Sequence, residues 1–258
     1  MELQIENYKD KHEYISENGI RSVVYLMDCM EGLKQIPDKY FELAICDVPY
    51  GINLGKMPFL KEMNTTVRQK NGSKLNGNKK KIPYIQKDWD NATPSQEYFD
   101  LLQKTTINQI VFGAEYVKWD NMLSGRIKWD KGFAEGMSFE RYETAYCSLI
   151  NNEITLELLW AGMCQAKSLS EPMVQQGNKK LNEKRIHPCH KPILLYLKLI
   201  IDYANEGDKI LDTHLGSGSS RIAAHKANLP FKGFELDEDY FKASVKRFEQ
   251  YTNQTRLF

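Results

Sequence analysis

Apolar positions along the chain fall into short runs separated by polar, glycine- or proline-marked breaks, and the period within each run predicts its element. Ser22-Val23-Val24-Tyr25-Leu26 reads as a strand, followed by a short helix through Met30 to Leu33. Phe41 to Cys46 is a second strand, bounded by Pro37-Asp38 before it and Pro49-Tyr50-Gly51 after it. A helix from Pro94 to about Thr106 leads to strands at Gln109–Gly113, Arg126–Trp129 and Thr144–Ile150. Pro192 suits the first position of an apolar helix running through Tyr203. A strand at Lys209–Leu211, a Gly/Ser turn, a helix to Asn228, a strand at Phe231–Glu235 and a closing helix complete the pattern. Strands alternating with helices predict an α/β fold: a Rossmann-like, mainly parallel, doubly wound sheet.

Two stretches break the rhythm. Residues 56–87 are rich in Asn, Gly and Lys and show neither helical nor strand period, so 56–90 is expected to be a flexible loop inserted in a single domain spanning 1–258. Residues 162–186 are again polar, and 151–186 is the candidate target-recognition insertion.

Composition changes the picture only locally. The 258 residues are 41% hydrophobic and 27% charged, with a net charge of +1, which is ordinary for a globular chain. Yet Lys56–Lys87 holds nine Lys or Arg residues against Glu62 alone, the distribution that phosphate neutralisation requires. A solvated face would carry the same charges. The five cysteines are scattered without C-x-x-C spacing, which argues against a disulfide framework or zinc finger and predicts the cytoplasm. The polar N-terminus is no signal peptide, and no apolar run approaches the roughly 20 residues that cross a bilayer, so no membrane association is expected.

Two turns carry candidate chemistry. After the strand ending at Leu211 comes Asp212-Thr213-His214-Leu215-Gly216-Ser217-Gly218-Ser219-Ser220, a glycine-rich turn opening a helix, with Glu235 placed to accept hydrogen bonds from ribose hydroxyls. A dinucleotide fingerprint would need glycine where Arg221 stands, and Asp212 suits a cationic sulfonium or ammonium better than a pyrophosphate. An ordinary βα turn would explain the glycines alone. Asp47-Val48-Pro49-Tyr50 also follows an apolar strand directly. Its carboxylate and a backbone carbonyl can accept both N–H bonds of an amine, and Tyr50 offers an aromatic face to an extruded base. Asp and Pro are equally at home in a simple turn. If the strand before Gly216 is the first of a 3-2-1-4-5 sheet and the strand before Asp47 the fourth, both turns open into one crevice.

Together these segments resemble the permuted, β-class DNA amino-methyltransferases. Asp47-Val48-Pro49-Tyr50 resembles the family's catalytic Asp-Pro-Pro-Tyr, with Val48 a departure. The loop from Asp212 to Ser220 resembles its cofactor loop, with Thr213 and His214 in place of Pro and Phe. His187-Pro188-Cys189-His190-Lys191-Pro192 is similar to the His-Pro-Thr-Gln-Lys-Pro before that loop, Tyr25 to Cys29 to its Asn-Gly-Asp-Cys strand end, and Trp129-Asp130-Lys131 with Glu143 to its middle section. The likeness spans about residues 22–247, apart from the two polar stretches.

The resemblance implies an S-adenosylmethionine-dependent enzyme that methylates the N6 amine of adenine in double-stranded DNA, as in restriction-modification systems. It implies Asp47, Pro49 and Tyr50 as catalytic. It implies cofactor contacts from Asp28 and Cys29 (adenine ring), Glu235 with Leu236 beside it (ribose), Lys191 (methionine carboxylate), and Asp47, Asp212, His214, Gly216, Ser217, Gly218, Ser219 and Ser220. Lys79, Lys80 and Lys81 are the expected DNA contacts, a homodimer is possible by analogy, and no metal is expected. A cytosine-N4 or RNA amine substrate, or a catalytically inactive DNA-binding relic, is the alternative. Pro188-Cys189 is read as structural rather than as the nucleophile of a cytosine-ring enzyme, because amine methylation needs no covalent intermediate.

Overall fold

A computed structural model describes residues 3–53, 66–68, 74–76, 87, 90–132, 140–175 and 181–255. The chain divides into two compact units, one made of Met1–Val48 with Pro94–Phe258 and the other of Pro49–Thr93.

In the larger unit the elements run β1 (Asp10–Ile15), β2 (Arg21–Leu26), α1 (Cys29–Leu33) and β3 (Phe41–Asp47). The smaller unit holds β4 (Thr66–Arg68) and β5 (Lys74–Asn76). The larger unit resumes with α2 (Gln96–Thr105), β6 (Thr106–Phe112), β7 (Arg126–Asp130), β8 (Tyr142–Cys147), β9 (Glu153–Glu157), β10 (Trp160–Ala161) and β11 (Cys164–Gln165). It closes with α3 (Ile193–Tyr203), β12 (Ile210–Asp212), α4 (Ser219–Lys226), β13 (Phe231–Glu235) and α5 (Glu238–Thr255).

Nine strands form one sheet in the order β1-β2-β13-β12-β3-β6-β8-β7-β9. From β2 to β6 every neighbouring pair is parallel, β8 runs against its neighbours and β1 is an antiparallel edge. The mainly parallel doubly wound sheet is therefore present, and β12 pairs directly with β3.

Strand residues alternate between two cores, one on each face. Val24, Leu26, Leu43, Ile45, Ile110 and Phe112 pack with Leu195, Leu199 and Ile200 of α3 and Ala223 and Ala224 of α4. Val23, Tyr25, Ala44, Cys46, Val111 and Leu211 pack with Leu33 of α1 and Tyr98, Phe99 and Leu102 of α2. Burying each large aliphatic or aromatic side chain contributes about 1.5–3 kcal/mol, which fixes the register of the parallel strands.

Some elements depart from expectation. β1 was not predicted. Its sequence DKHEYI has no buried position, and it is held by backbone pairing to β2 from Asp10↔Leu26 to Ile15↔Arg21. Within the first polar stretch, β4 and β5 pair antiparallel about Val67↔Leu75, correcting the expectation of no strand there. Three-residue strands are too short to display a period. Lys79, Lys80, Lys81 and most of the expected loop 56–90 lie outside the described residues. Pro192 caps α3 in extended geometry (φ −71°, ψ 150°) instead of occupying its first turn, because both Glu183 carboxylate oxygens accept the Ile193 N–H, at 3.1 and 3.3 Å. Residues 153–157 form β9, the strand beside β7, inside the 151–186 segment. No described helix is long and apolar enough to cross a membrane.

Candidate functional site

Because β2, β13, β12 and β3 are parallel, their carboxyl ends share one edge of the sheet, and there the chain places Asp28, Glu235, Asp212 and Asp47. Open α/β sheets bind ligands at that edge. The two strand ends that the sequence reading requires to be neighbours are neighbours.

The turn after β12 is shaped by glycines in the left-handed region, Gly216 at φ 49° and Gly218 at φ 71°, the second capping α4. Only a residue without Cβ adopts such angles at low cost. Asp212 is 1% exposed. Its Oδ1 accepts the His214 N–H at 3.0 Å and its Oδ2 the Ser220 hydroxyl at 2.5 Å. Burial raises its carboxyl to about 7 and the charge of Asp47 adds to the rise, against the hydrogen bonds and Lys191.

Glu235 at the end of β13 holds the other side of the turn. Its Oε2 accepts the Gly216 N–H at 2.7 Å and its Oε1 the Asp237 N–H at 2.9 Å. Burial raises this carboxyl too, to about 7. A carboxylate has about four acceptor positions, so each oxygen retains capacity beyond its backbone partner.

Thr213 and His214, which depart from the family pattern, are explained by their contacts. The Thr213 hydroxyl lies 2.6 Å from the Tyr98 hydroxyl and 2.9 Å from His214 Nδ1, and Cys29 Sγ lies 4.0 Å from His214 Nε2. Burial holds the His214 imidazole at about 4 and raises the Cys29 thiol above its ordinary range, so both are neutral at pH 7. Polar side chains thus tie the loop to α2 and α1 where apolar packing would otherwise serve.

Further along the loop, Arg247 Nη1 donates to the Ser217 carbonyl at 2.8 Å and to Ser219 Oγ at 2.9 Å, while its Nη2 reaches Glu183 at 2.7 Å. His190 Nε2 lies 3.3 Å from Ser219 Oγ, and its ring stacks on Trp160. Burial lowers its pKa, and Glu183 opposes that shift.

At the end of β3, Asp47 Oδ1 meets Lys191 Nζ at 2.5 Å, and the same ammonium meets Glu143 Oε1 at 2.5 Å. Burial alone would depress this ammonium, yet the two carboxylates outweigh it and raise the pKa above the usual lysine value. Val48 is 2% exposed and belongs to the core beneath the sheet, which explains an aliphatic residue where the family pattern has proline. In the smaller unit, the Tyr50 and Gly51 N–H groups donate to Asp90 Oδ1 at 2.7 and 2.9 Å. The Asn53 N–H donates to the Asp90 carbonyl, so Asp90 fixes the turn that contains Pro49 and Tyr50.

The structure therefore brings together Asp47, Lys191, Asp212 and the 213–220 loop with Glu235 and Cys29. Asp28 is exposed and caps α1 through the Met30 N–H, and Leu236 is 63% exposed. Sequence reasoning did not assign site roles to Glu143, Glu183, Arg247 or Tyr98. For Glu143 a signal existed in the Trp129-Asp130-Lys131 segment, which pairs with it across β7 and β8. Among the described residues, no group of three or more His, Cys, Asp or Glu is placed to hold a metal ion.

A nine-stranded, mainly parallel sheet with a glycine turn and buried carboxylates at one edge defines a Rossmann-like α/β protein. The chain belongs to the N6/N4 DNA methylase family, whose model matches residues 56–246. The matched range begins after Asp47–Tyr50. Residues of the chain are 36% identical over 63 positions to the Type II methyltransferase M2.DpnII of Streptococcus pneumoniae, a match covering 24% of each protein. The alignment thus spans about a quarter of that relative's length. PvuII DNA methyltransferase, described as cytosine-N4-specific, shares the fold at TM-score 0.52 and 15% identity, covering 96% of this chain and 94% of its own. M1.HpyAVI in complex with S-adenosylmethionine aligns at TM-score 0.48 and 18% identity, over 87% of this chain and 98% of its own.

Proposed function

We propose that this protein is an S-adenosylmethionine-dependent DNA methyltransferase acting on the exocyclic N6 amine of adenine, with the circularly permuted motif order of the β class. The observation that carries the reading is the direct parallel pairing of β12 with β3, which sets Asp212 and Asp47 at adjacent strand ends. The residues present fit a cationic methyl donor. Asp212 is a buried carboxylate partnered by a hydroxyl and a backbone N–H, and a neighbouring cation offsets the cost of ionising it there.

In this reading the loop from Asp212 through His214, Gly216, Ser217, Gly218, Ser219 and Ser220 holds the methionine portion. Glu235, beside Leu236, takes the ribose hydroxyls, and Asp28 and Cys29 border the adenine ring. When bound, the donor would supply a methyl group from its sulfonium and be left as a neutral thioether, and the proton that the amine gives up on methylation would pass to the Asp47 carboxylate or to water. Asp47 and the Val48 carbonyl accept the two amine N–H bonds, which aims the nitrogen lone pair outward. The Asp47 carboxylate stabilises positive charge growing on that nitrogen, an interaction stronger in the transition state than before it. Pro49 stiffens the turn and Tyr50 offers an aromatic face for the flipped base. Asp at the first motif position, where Ser often marks cytosine enzymes, favours adenine. The basic segment 56–87, Lys79–Lys81 included, is read as the phosphate contact with double-stranded DNA, and 151–186 as target recognition.

Nucleoside mass analysis after incubating DNA with labelled S-adenosylmethionine tests this. Label in N6-methyladenine, abolished by Asp47→Ala, is expected. Label in N4-methylcytosine would reassign the base, and DNA binding without any transfer would make the chain a relic.

A further inference from the structure

Lys191 sits where three elements of the larger unit meet: the end of β3, the start of β8 and the residues before α3. It is 4% exposed, and its ammonium lies 4.7 Å from the ring centroid of Phe112, the residue paired with Asp47 across β3 and β6. Glu143, whose second oxygen lies 3.7 Å from Lys131 Nζ, shares the ammonium with Asp47. The sequence resemblance gives this lysine to the methionine carboxylate of the cofactor. The geometry gives it two protein carboxylates at 2.5 Å each.

Resting on the methyltransferase reading above, we propose that Lys191 is a positioning residue for the Asp47 carboxylate, locked in place by Glu143, and not a ligand of the cofactor. A charge-assisted bond to Oδ1 fixes the rotation of a carboxylate that must meet an amine within a few tenths of an ångström. It also counters the negative charge gathered there. Asp47 is faced by Lys191 from the α3 side, by Glu143 from β8, by Asp212 from β12 and by the buried Tyr196 hydroxyl of α3, with Lys131 behind Glu143. Without the ammonium, Asp47 would lose this contacting positive charge while the carboxylates of Glu143 and Asp212 stay near it. Glu143 anchors the far side of the lysine, so the ammonium cannot swing toward an anionic ligand without abandoning both partners.

The test is titration of the Asp47 carboxyl by carbon NMR in the full-length protein without ligands, the resonance being assigned by its loss in Asp47→Asn. Lys191→Met should raise the Asp47 titration by about 1–3 pH units, the size expected for losing a contacting opposite charge. Lys191→Arg should largely restore it, and Glu143→Gln should lower it, because one negative neighbour is gone. The last two keep the proposal testable if Lys191→Met fails to fold. Calorimetry with S-adenosylmethionine should find the affinity of Lys191→Met within about threefold of wild type, less than 1 kcal/mol. An Asp47 titration unmoved by these substitutions, or a tenfold loss of S-adenosylmethionine affinity in Lys191→Met, would overturn the proposal. Failure of the function is separately visible: wild-type protein that transfers no methyl group to DNA contradicts the methyltransferase reading while leaving the measured coupling of Asp47 to Lys191 intact.

Discussion

Replacing Asp212 by asparagine should stabilise the protein and weaken its hold on the methyl donor, with a gain in stability that depends on pH. The carboxyl titrates near 7 in the folded protein against an ordinary value of 3.8, with burial the main cause. The gap of roughly 3 pH units, at about 1.4 kcal/mol each, amounts to about 4 kcal/mol. The folded state keeps this proton to higher pH than the unfolded chain does. The group's contribution to stability therefore falls as pH rises from about 4 to about 7, and the full deficit persists above 7. At pH 5 only about 2 kcal/mol of the deficit has accumulated. A neutral amide carries none of it, but its Nδ2 can only donate to Ser220 Oγ, which leaves the Ser220 O–H without the acceptor that the carboxylate gave it, a loss of about 1 kcal/mol. Asp212→Asn should then gain about 3 kcal/mol at pH 8.5 and about 1 kcal/mol at pH 5. In thermal unfolding this is roughly 6–12 °C at the higher pH and a few degrees at the lower. Calorimetry should also find S-adenosylmethionine bound at least tenfold more weakly, about 1.4 kcal/mol. A melting temperature that falls at pH 8.5, or a gain equal at both pH values, would refute the reasoning that an ionised Asp212 is held at a cost.

Other substitutions probe the same edge. Gly218→Ala places a Cβ 3.1 Å from Ser244 Cβ at φ 71°, and should cost about 1–2 kcal/mol in denaturant unfolding. A neutral outcome would show that the turn relaxes freely. Because burial raises both Glu235 and Asp212 to about 7, cofactor affinity should fall as pH drops from 8 to 6 and the carboxylates protonate. Glu235→Gln should weaken binding at pH 8 and flatten that dependence, and an unchanged titration curve would remove Glu235 from the ribose. Neutralising Lys79, Lys80 and Lys81 together should reduce the salt slope of DNA binding by about 3, and an unchanged slope would remove them from the phosphate contact.

Much of the sheet was legible because its central strands are short apolar runs stopped by marked turns. Phe41–Asp47 and Phe231–Glu235 follow the expected bounds closely, since both of their faces are buried. β1 escaped because an edge strand needs only backbone pairing, and DKHEYI advertises none of its partners. β6 begins three residues earlier than expected because Thr106, a polar residue at the end of α2, turns its hydroxyl back to the Leu102 carbonyl at 2.6 Å and is buried. In the site, the positions of Asp47 and Asp212 followed from local turns, whereas the partners of Lys191 did not. Its bond to Asp47 joins residues 144 apart in sequence, and only the folded sheet sets β3 and β8 either side of that ammonium. Val48 and Thr213 looked like defects beside the family pattern. In the structure the first fills core space and the second bonds Tyr98, so each departure is matched by a neighbour that local sequence does not reveal.

In the proposed reading the loop after β12 and the end of β3 serve one bound methyl donor. Calorimetric titration of S-adenosylmethionine into wild-type protein and Asp47→Asn addresses it most directly. Saturable one-to-one binding of similar affinity in both is predicted, because in the proposed reading the 212–220 loop and Glu235 hold the donor while Asp47 acts on the amine. Absence of saturable binding to wild-type protein, with or without DNA, would mean that this edge of the sheet does not hold a methyl donor.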